Sequence, residues 1–155
     1  MSLASLTMLS IVDTVVALVA AYLLAMPIGW ERKAKGKTSI GWRTFPLVSV
    51  GTCAYLLICR DLYARGIFDA DGPARTLRAM MTGIGFIGGG AILKGTKGIT
   101  GVTTATSIWT TGAIGASVAF GYYIVAVVLT VTNLCVVELT AMLARRTQVG
   151  DERRQ

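Results

Sequence analysis

The stretch MLSIVDTVVALVAAYLLAMPIGW, residues 8–30, decides how the rest of the chain is read. It carries one acid, Asp13, and no base. As a helix it extends about 34 Å, enough to cross a hydrocarbon core of roughly 30 Å. Basic residues follow this run rather than precede it, and the run is longer than the apolar core of a signal peptide. The sequence therefore points to an anchor that stays in the membrane.

Working outward, similar runs recur at about 45–62, 77–93, 102–120 and 122–143, with a short basic tail at 144–155. The chain of 155 residues is 54% hydrophobic and 15% charged, with a mean hydropathy of +0.64, too apolar for a soluble domain of this size. The expected fold is all-α, a multi-pass transmembrane bundle of about five spans filling residues 1–143. The run at 77–93 is the weakest span, because it holds Gly83, Gly85, Gly88, Gly89 and Gly90. Only Gly121 separates the last two runs, which predicts a tight helical hairpin.

The net charge of +7 reads as topology rather than nucleic-acid binding, since the positive residues cluster between apolar runs. One side collects Arg32, Lys33, Lys35, Lys37, Arg43, Lys94, Lys97, Arg145, Arg146, Arg153 and Arg154; the other holds Arg60, Arg65, Arg75 and Arg78. Positive residues are retained on the cytoplasmic side. The N-terminus is therefore expected outside and the C-terminus in the cytoplasm.

Helices in lipid are held together by small residues that let backbones approach and by a few polar contacts. Asp13, Ala17, Ala21, Ala25 and Gly29 recur every four residues, so this stripe should face inward. Gly85 with Gly89, Gly112 with Ala116, and Gly115 with Ala119 repeat the spacing. Five glycines in one short span exceed what packing needs, as each costs about 1 kcal/mol of helix propensity against alanine. A broken helix lining a cavity is the functional alternative there.

Carboxylates within apolar runs are expensive and usually face a bundle interior, which makes Asp13 and Glu138 candidate site residues. Glu138 lies seven residues before Arg145, a spacing that also permits a snorkelling pair. Glu31 and Arg32, with Lys37 and Arg43, form a dense cationic segment expected to attract anionic lipid head groups at the cytoplasmic face. Glu31 reads as counter-ion to Arg32 or Arg43. Cys53, Cys59 and Cys135 lie in apolar runs without paired spacing and are expected to be buried thiols.

Other chemistry is thinly supported. The chain has no histidine, which removes imidazole acid–base catalysis and imidazole metal ligands. Gly83-Ile84-Gly85-Phe86-Ile87-Gly88 has the dinucleotide-binding spacing, but no strand precedes it and no acid follows at the required distance. Gly36-Lys37-Thr38 ends like a phosphate-binding loop, but Glu31 occupies the position of the first glycine. No nucleophile with its base and no ligand cluster can be assembled. The expectations are no enzyme activity, no cofactor and no metal centre.

Gly29-Trp30-Glu31-Arg32, Gly36-Lys37 and Gly41-Trp42-Arg43-Thr44, followed by Thr82-Gly83-Ile84-Gly85-Phe86-Ile87-Gly88-Gly89-Gly90 and by Gly101-Val102-Thr103-Thr104-Ala105 with Trp109 and Ile114-Gly115, resemble the linked motifs of the MgtC/SapB family of bacterial membrane proteins. Three positions depart from that pattern. Lys33 stands where the family has a second acid, Phe45 where it has a histidine, and Asp71-Gly72-Pro73-Ala74-Arg75 replaces Asp-Pro-x-Arg. Longer relatives add a C-terminal domain resembling ACT folds, which is not expected here.

The resemblance implies a multi-pass protein of the bacterial inner membrane, non-enzymatic, linked to low-magnesium adaptation, to virulence, and to modulation of membrane potential or ATP synthase. The favoured expectation is a regulatory protein acting through membrane-protein partners. A small cation carrier or channel, for example for magnesium, using Asp13, Glu138 and a glycine-broken helix, is the alternative. A homo-oligomer, a dimer at its simplest, would suit so small a bundle.

Overall fold

The computed structural model describes residues 3–34, 40–95 and 98–152, with side chains described for residues 11–33, 40–95 and 98–141. Among these residues the chain forms α1 (Leu3–Ala34), α2 (Thr44–Ala64), α3 (Gly72–Gly90), α4 (Val102–Ala119) and α5 (Tyr123–Glu152). A short antiparallel hairpin, β1 (Leu93–Gly95) and β2 (Gly98–Thr100), joins α3 to α4. The sequence reading did not anticipate this hairpin.

The central element is α4, which packs on all four other helices. Its composition explains why. Thr104, Ser107, Thr111, Gly112, Gly115 and Ala119 are buried, and such small side chains let neighbouring helices approach from several directions. Gly101 starts the helix with φ +85°, and a Cβ there would also run into the Ala91 carbonyl. Glycine is thus required twice over where the hairpin turns into α4.

Among the described residues, three segments are long and apolar enough to cross a membrane: Ile11–Lys33 in α1, Thr44–Ala64 in α2 and Tyr123–Ala141 in α5. Neither α3 nor α4, expected as spans 77–93 and 102–120, is among them. The hydroxyls and glycines that suit α4 to the centre also dilute its apolar character.

Phe45, Ile28, Leu56, Ile108 and Ile114 fill the core, while along most of α1 small residues face inward and large apolar ones outward. Ala17, Ala21 and Ala25 are buried and Gly29 with them, as the four-residue stripe predicts, but Asp13 at the start of the stripe is exposed. Val12, Val15, Val16, Val19 and Leu23 on α1 face outward, as do Ile124, Val128, Val131 and Leu139 on α5. A surface of this kind suits hydrocarbon surroundings and would be costly in water. Cys53 and Cys59 are buried as expected, whereas Cys135 is exposed. It lies on the outward face of α5, where the solvent is itself apolar, so an apolar run does not guarantee burial.

The glycine-rich segment is not broken: α3 runs through Gly83, Gly85, Gly88 and Gly89 to Gly90. It ends there rather than at 93, with the Ala91 N–H donating to Gly88 O. Tertiary contact overrides weak propensity, because Ile84 and Gly88 are buried and a Cβ on Gly88 would lie 3.2 Å from Ala105 O. Nothing lies within 4 Å of a Cβ at Gly83, Gly85, Gly89 or Gly90. Gly83→Ala and Gly85→Ala are therefore expected to stabilise the helix by about 0.5–1 kcal/mol each, measured by unfolding in detergent micelles. A loss of stability would mean that these positions pack against something outside the monomer.

At the other end of the sequence, α5 continues as helix to Glu152, across most of the segment expected as a tail. The sequence offers no breaker between Ala141 and Val149, and its Ala, Leu, Met, Arg and Gln residues favour helix.

Candidate functional site

The polar centre of the bundle is Arg32, near the end of α1. Its side chain is only 2% exposed, in a place where burying a cation demands compensation. Two helices supply it directly and a third through Ser107. Nη2 donates to the Thr103 carbonyl oxygen at 3.4 Å and to Ser107 Oγ at 3.2 Å, both on α4. Nε lies 3.5 Å from Glu31 Oε2, so the structure pairs Glu31 with Arg32. Ser107 in turn donates to Asn133 Oδ1 on α5 at 3.5 Å. This chain of contacts ties α1, α4 and α5 together.

The bond directions agree with the Asn133 amide as placed. Ser107 Oγ accepts from the guanidinium, which is donor only, and directs its own proton to the amide oxygen. The Asn133 N–H pair is left to donate elsewhere, strengthened by the buried cation behind the relay. Asn133 lines a groove of about 240 Å³ between α4 and α5, with Thr103, Thr106, Ser107, Thr110 and Thr132. Thr106 and Thr110 back-bond to helix carbonyls, Thr110 to Thr106 O at 3.0 Å. Their hydroxyls are satisfied, whereas the Asn133 amide has donors to spare, as do the Thr103 and Thr132 hydroxyls among the described residues.

Beside this centre stands an aromatic and cationic edge. Trp30 and Trp42 meet edge to face with centroids 6.4 Å apart. Lys33 Nζ lies 5.9 Å and the Arg43 guanidinium 5.6 Å from the Trp42 ring. Trp30 is largely exposed. Aromatic rings and cations in this arrangement suit the boundary between hydrocarbon and head groups. Gly29 brings the two segments together, since a Cβ there would strike the Trp42 carbonyl oxygen. Lys37 lies outside the described residues.

The two carboxylates expected within the membrane do not meet. Thr130 Oγ1 donates to Leu24 O at 3.1 Å, which sets the register of α5 against α1, the two running parallel. Asp13 lies eleven residues before Leu24 and Glu138 eight after Thr130, so they are separated by about 28 Å along the bundle. Asp13 is exposed and lines a groove of about 530 Å³ with Arg60 and Asp61. Asp61 pairs with Arg65 at 2.7 Å. Glu138 is half-buried on α5, and the side chain of Arg145 is outside those described. Whether the two share one cavity is left open by the sequence, and the helix register keeps them apart.

The remaining candidates are dispersed. Asp71 is exposed and precedes α3 without a side-chain capping bond. Arg75 hydrogen-bonds Asp69 at 2.7 Å, which holds the Asp69 carboxyl below the usual carboxylate range. Asp69 and Asp71 belong to the α2–α3 connection and Arg75 to the first turn of α3. Thr104 is buried and Trp109 about half exposed. No group of three or more Cys, Asp or Glu suited to a metal is found among the described residues.

Two residues that matter escaped the sequence reading. Asn133 is the only asparagine in the chain, and a lone amide in an apolar run is a signal of interhelical bonding. Arg60, counted only as a topological charge, donates to Ala119 O at 3.0 Å and so satisfies a carbonyl at the C-terminal end of α4, where a cation is favoured.

The profile of the MgtC family matches residues 18–146. The chain is 34% identical over 137 residues to a protein of Escherichia coli (strain K12) named "Putative magnesium transporter YhiD", covering 86% of this chain and 63% of that one. It is 32% identical over 115 residues to protein SrpB of Synechococcus elongatus, covering 68% and 63%. It is 31% identical over 129 residues to protein MgtC of Salmonella typhimurium (strain LT2), covering 83% and 53%. The chain thus spans between about half and two thirds of these relatives. No solved structure matches.

Proposed function

From the premise that this chain belongs to the MgtC family and is a membrane protein, we propose that it is a regulatory, non-enzymatic protein of the inner membrane that acts by contact with other membrane proteins. Its role is linked to magnesium, as the name of the Escherichia coli relative suggests, through adaptation to low magnesium and through membrane potential or ATP synthase. The observation that carries this reading is the α4/α5 groove. It offers a donor amide, Asn133, among hydroxyl-bearing residues, a surface that lipid tails serve poorly and an acceptor on a neighbouring helix serves well.

The carrier reading is supported less. The Asp13–Asp61 groove is the feature that favours it, but the second carboxylate, Glu138, is far along the bundle. The position facing the interior at that depth holds the Arg32 guanidinium, which repels a divalent cation.

Cysteines placed along the groove test the proposal. With Cys135→Ser as background, Thr110→Cys and Val136→Cys are expected to form crosslinks in native membranes to one and the same polypeptide. Adding Asn133→Leu should reduce the yield about tenfold, the factor for roughly 1.4 kcal/mol and near the upper range for such bonds in membranes. Crosslinks to a second copy alone would assign the groove to self-association. No crosslink from any groove position would contradict the reading.

A further inference from the structure

A second cleft, unconnected with Arg32, lies between α3 and α4 towards the turn that joins α4 to α5. Its volume is about 350 Å³. Leu77, Met80 and Ile84 form one wall, and Gly112, Ala113 and Ala116 form the floor. The sequence explains the hollow. Large side chains on α3 face small ones on α4, and Ile84 closes the deep end by resting where a Cβ on Gly112 would sit.

We propose that this cleft holds one acyl chain of an anionic phospholipid, with the head group at Arg78. Length comes first. From Trp109 at the deep end to Phe120 at the mouth is eleven residues of α4, about 16 Å. That is half of the roughly 30 Å hydrocarbon core, the depth reached by one leaflet's chains. Shape comes second. Spread over that length, a volume of about 350 Å³ leaves a mean cross-section of about 22 Å², far below that of a helix about 10 Å across, so the cleft suits a single chain and not a partner helix.

Charge selects the lipid. At this end of the bundle Arg65 is paired with Asp61, Arg75 with Asp69, and Arg60 with the end of α4. Arg78, exposed and adjacent in sequence to Leu77 of the wall, makes no ion pair or side-chain hydrogen bond among the described residues. Tyr122 flanks the same mouth, as amphipathic rings do at the head-group level. A guanidinium unpaired among the described residues and next to the wall of an apolar cleft matches a phosphate attached to a hydrocarbon chain.

Trp109 reports the occupant. In a Trp30→Phe, Trp42→Phe protein it is the only tryptophan, and bromine on a lipid chain quenches it on contact. The protein is reconstituted in phosphatidylcholine vesicles containing a minor fraction of brominated phosphatidylglycerol or of brominated phosphatidylcholine. The glycerol lipid is expected to be preferred about fivefold over its share of the bilayer, the factor that about 1 kcal/mol per basic residue gives. Arg78→Gln should abolish the preference while quenching persists. Ala113→Leu with Ala116→Leu, which fills the floor, should lower quenching by both lipids. Quenching in proportion to bulk composition, unchanged by Arg78→Gln, would overturn the proposal. Absence of quenching by either lipid would also overturn it, by showing that protein covers the cleft.

Discussion

Arg32→Leu is expected to destabilise the protein by about 3–5 kcal/mol, the range for breaking a buried ion pair by removing one partner. The side chain lost is 2% exposed. Its removal strands several polar groups at once: the Glu31 carboxylate loses its neighbour at 3.5 Å, and Ser107 and the Thr103 carbonyl lose a donor. Arg32→Lys keeps the charge but replaces a planar fork by a compact ammonium, so it should fall between wild type and leucine. Glu31→Gln added to Arg32→Leu should recover part of the loss, because the stranded charge is then gone. Unfolding in detergent micelles, followed by circular dichroism, measures all three. A change for Arg32→Leu below about 1 kcal/mol, the range of exposed pairs, would remove the guanidinium from its place at the polar centre.

Gly115→Ala is the second large effect, and its sign rests on weighing two terms. Alanine is a better helix former than glycine by about 1 kcal/mol. Opposing this, the added Cβ would collide with the carbonyl oxygen of Ser49 on α2. Backbone cannot rotate away, so α2 and α4 must separate, and overpacking of this kind costs about 1–3 kcal/mol. The α2–α4 contact is the most extensive between any two helices, so the clash is not locally absorbed. The net expectation is destabilisation for Gly115→Ala and more for Gly115→Val. Gly85→Ala, with open space at its Cβ, should show the opposite sign in the same assay.

These two residues also show how much of the structure the sequence discloses. The four-residue stripe from Asp13 to Gly29 was legible from Ala17 onward, because small-residue spacing on one helix is a local pattern and that part of the face is buried, whereas Asp13 at its start is exposed. The glycines of α3 misled for the converse reason. Propensity is local, but Gly88 is held by Ala105, seventeen residues away in sequence, and that contact keeps the helix whole. Arg32 was legible as a candidate in the cationic segment, with Glu31 as counter-ion to it or to Arg43, but nothing within α1 says that its side chain turns inward towards Ser107. Asn133 carried a readable signal as the only asparagine, but the relay its amide completes runs across three helices. The separation of Asp13 from Glu138 is likewise a matter of register, set by Thr130 and Leu24, and no reading of either run alone contains it.

The central claim is that the polar interior of this bundle binds it together and presents a contact surface, and does not conduct a cation. Magnesium entry into proteoliposomes, followed with an entrapped fluorescent indicator and compared with Asp13→Asn, Glu138→Gln protein, tests it most directly. The account predicts entry no faster than into protein-free vesicles for both proteins. Saturable entry with the wild type, lost in the double variant, would contradict it.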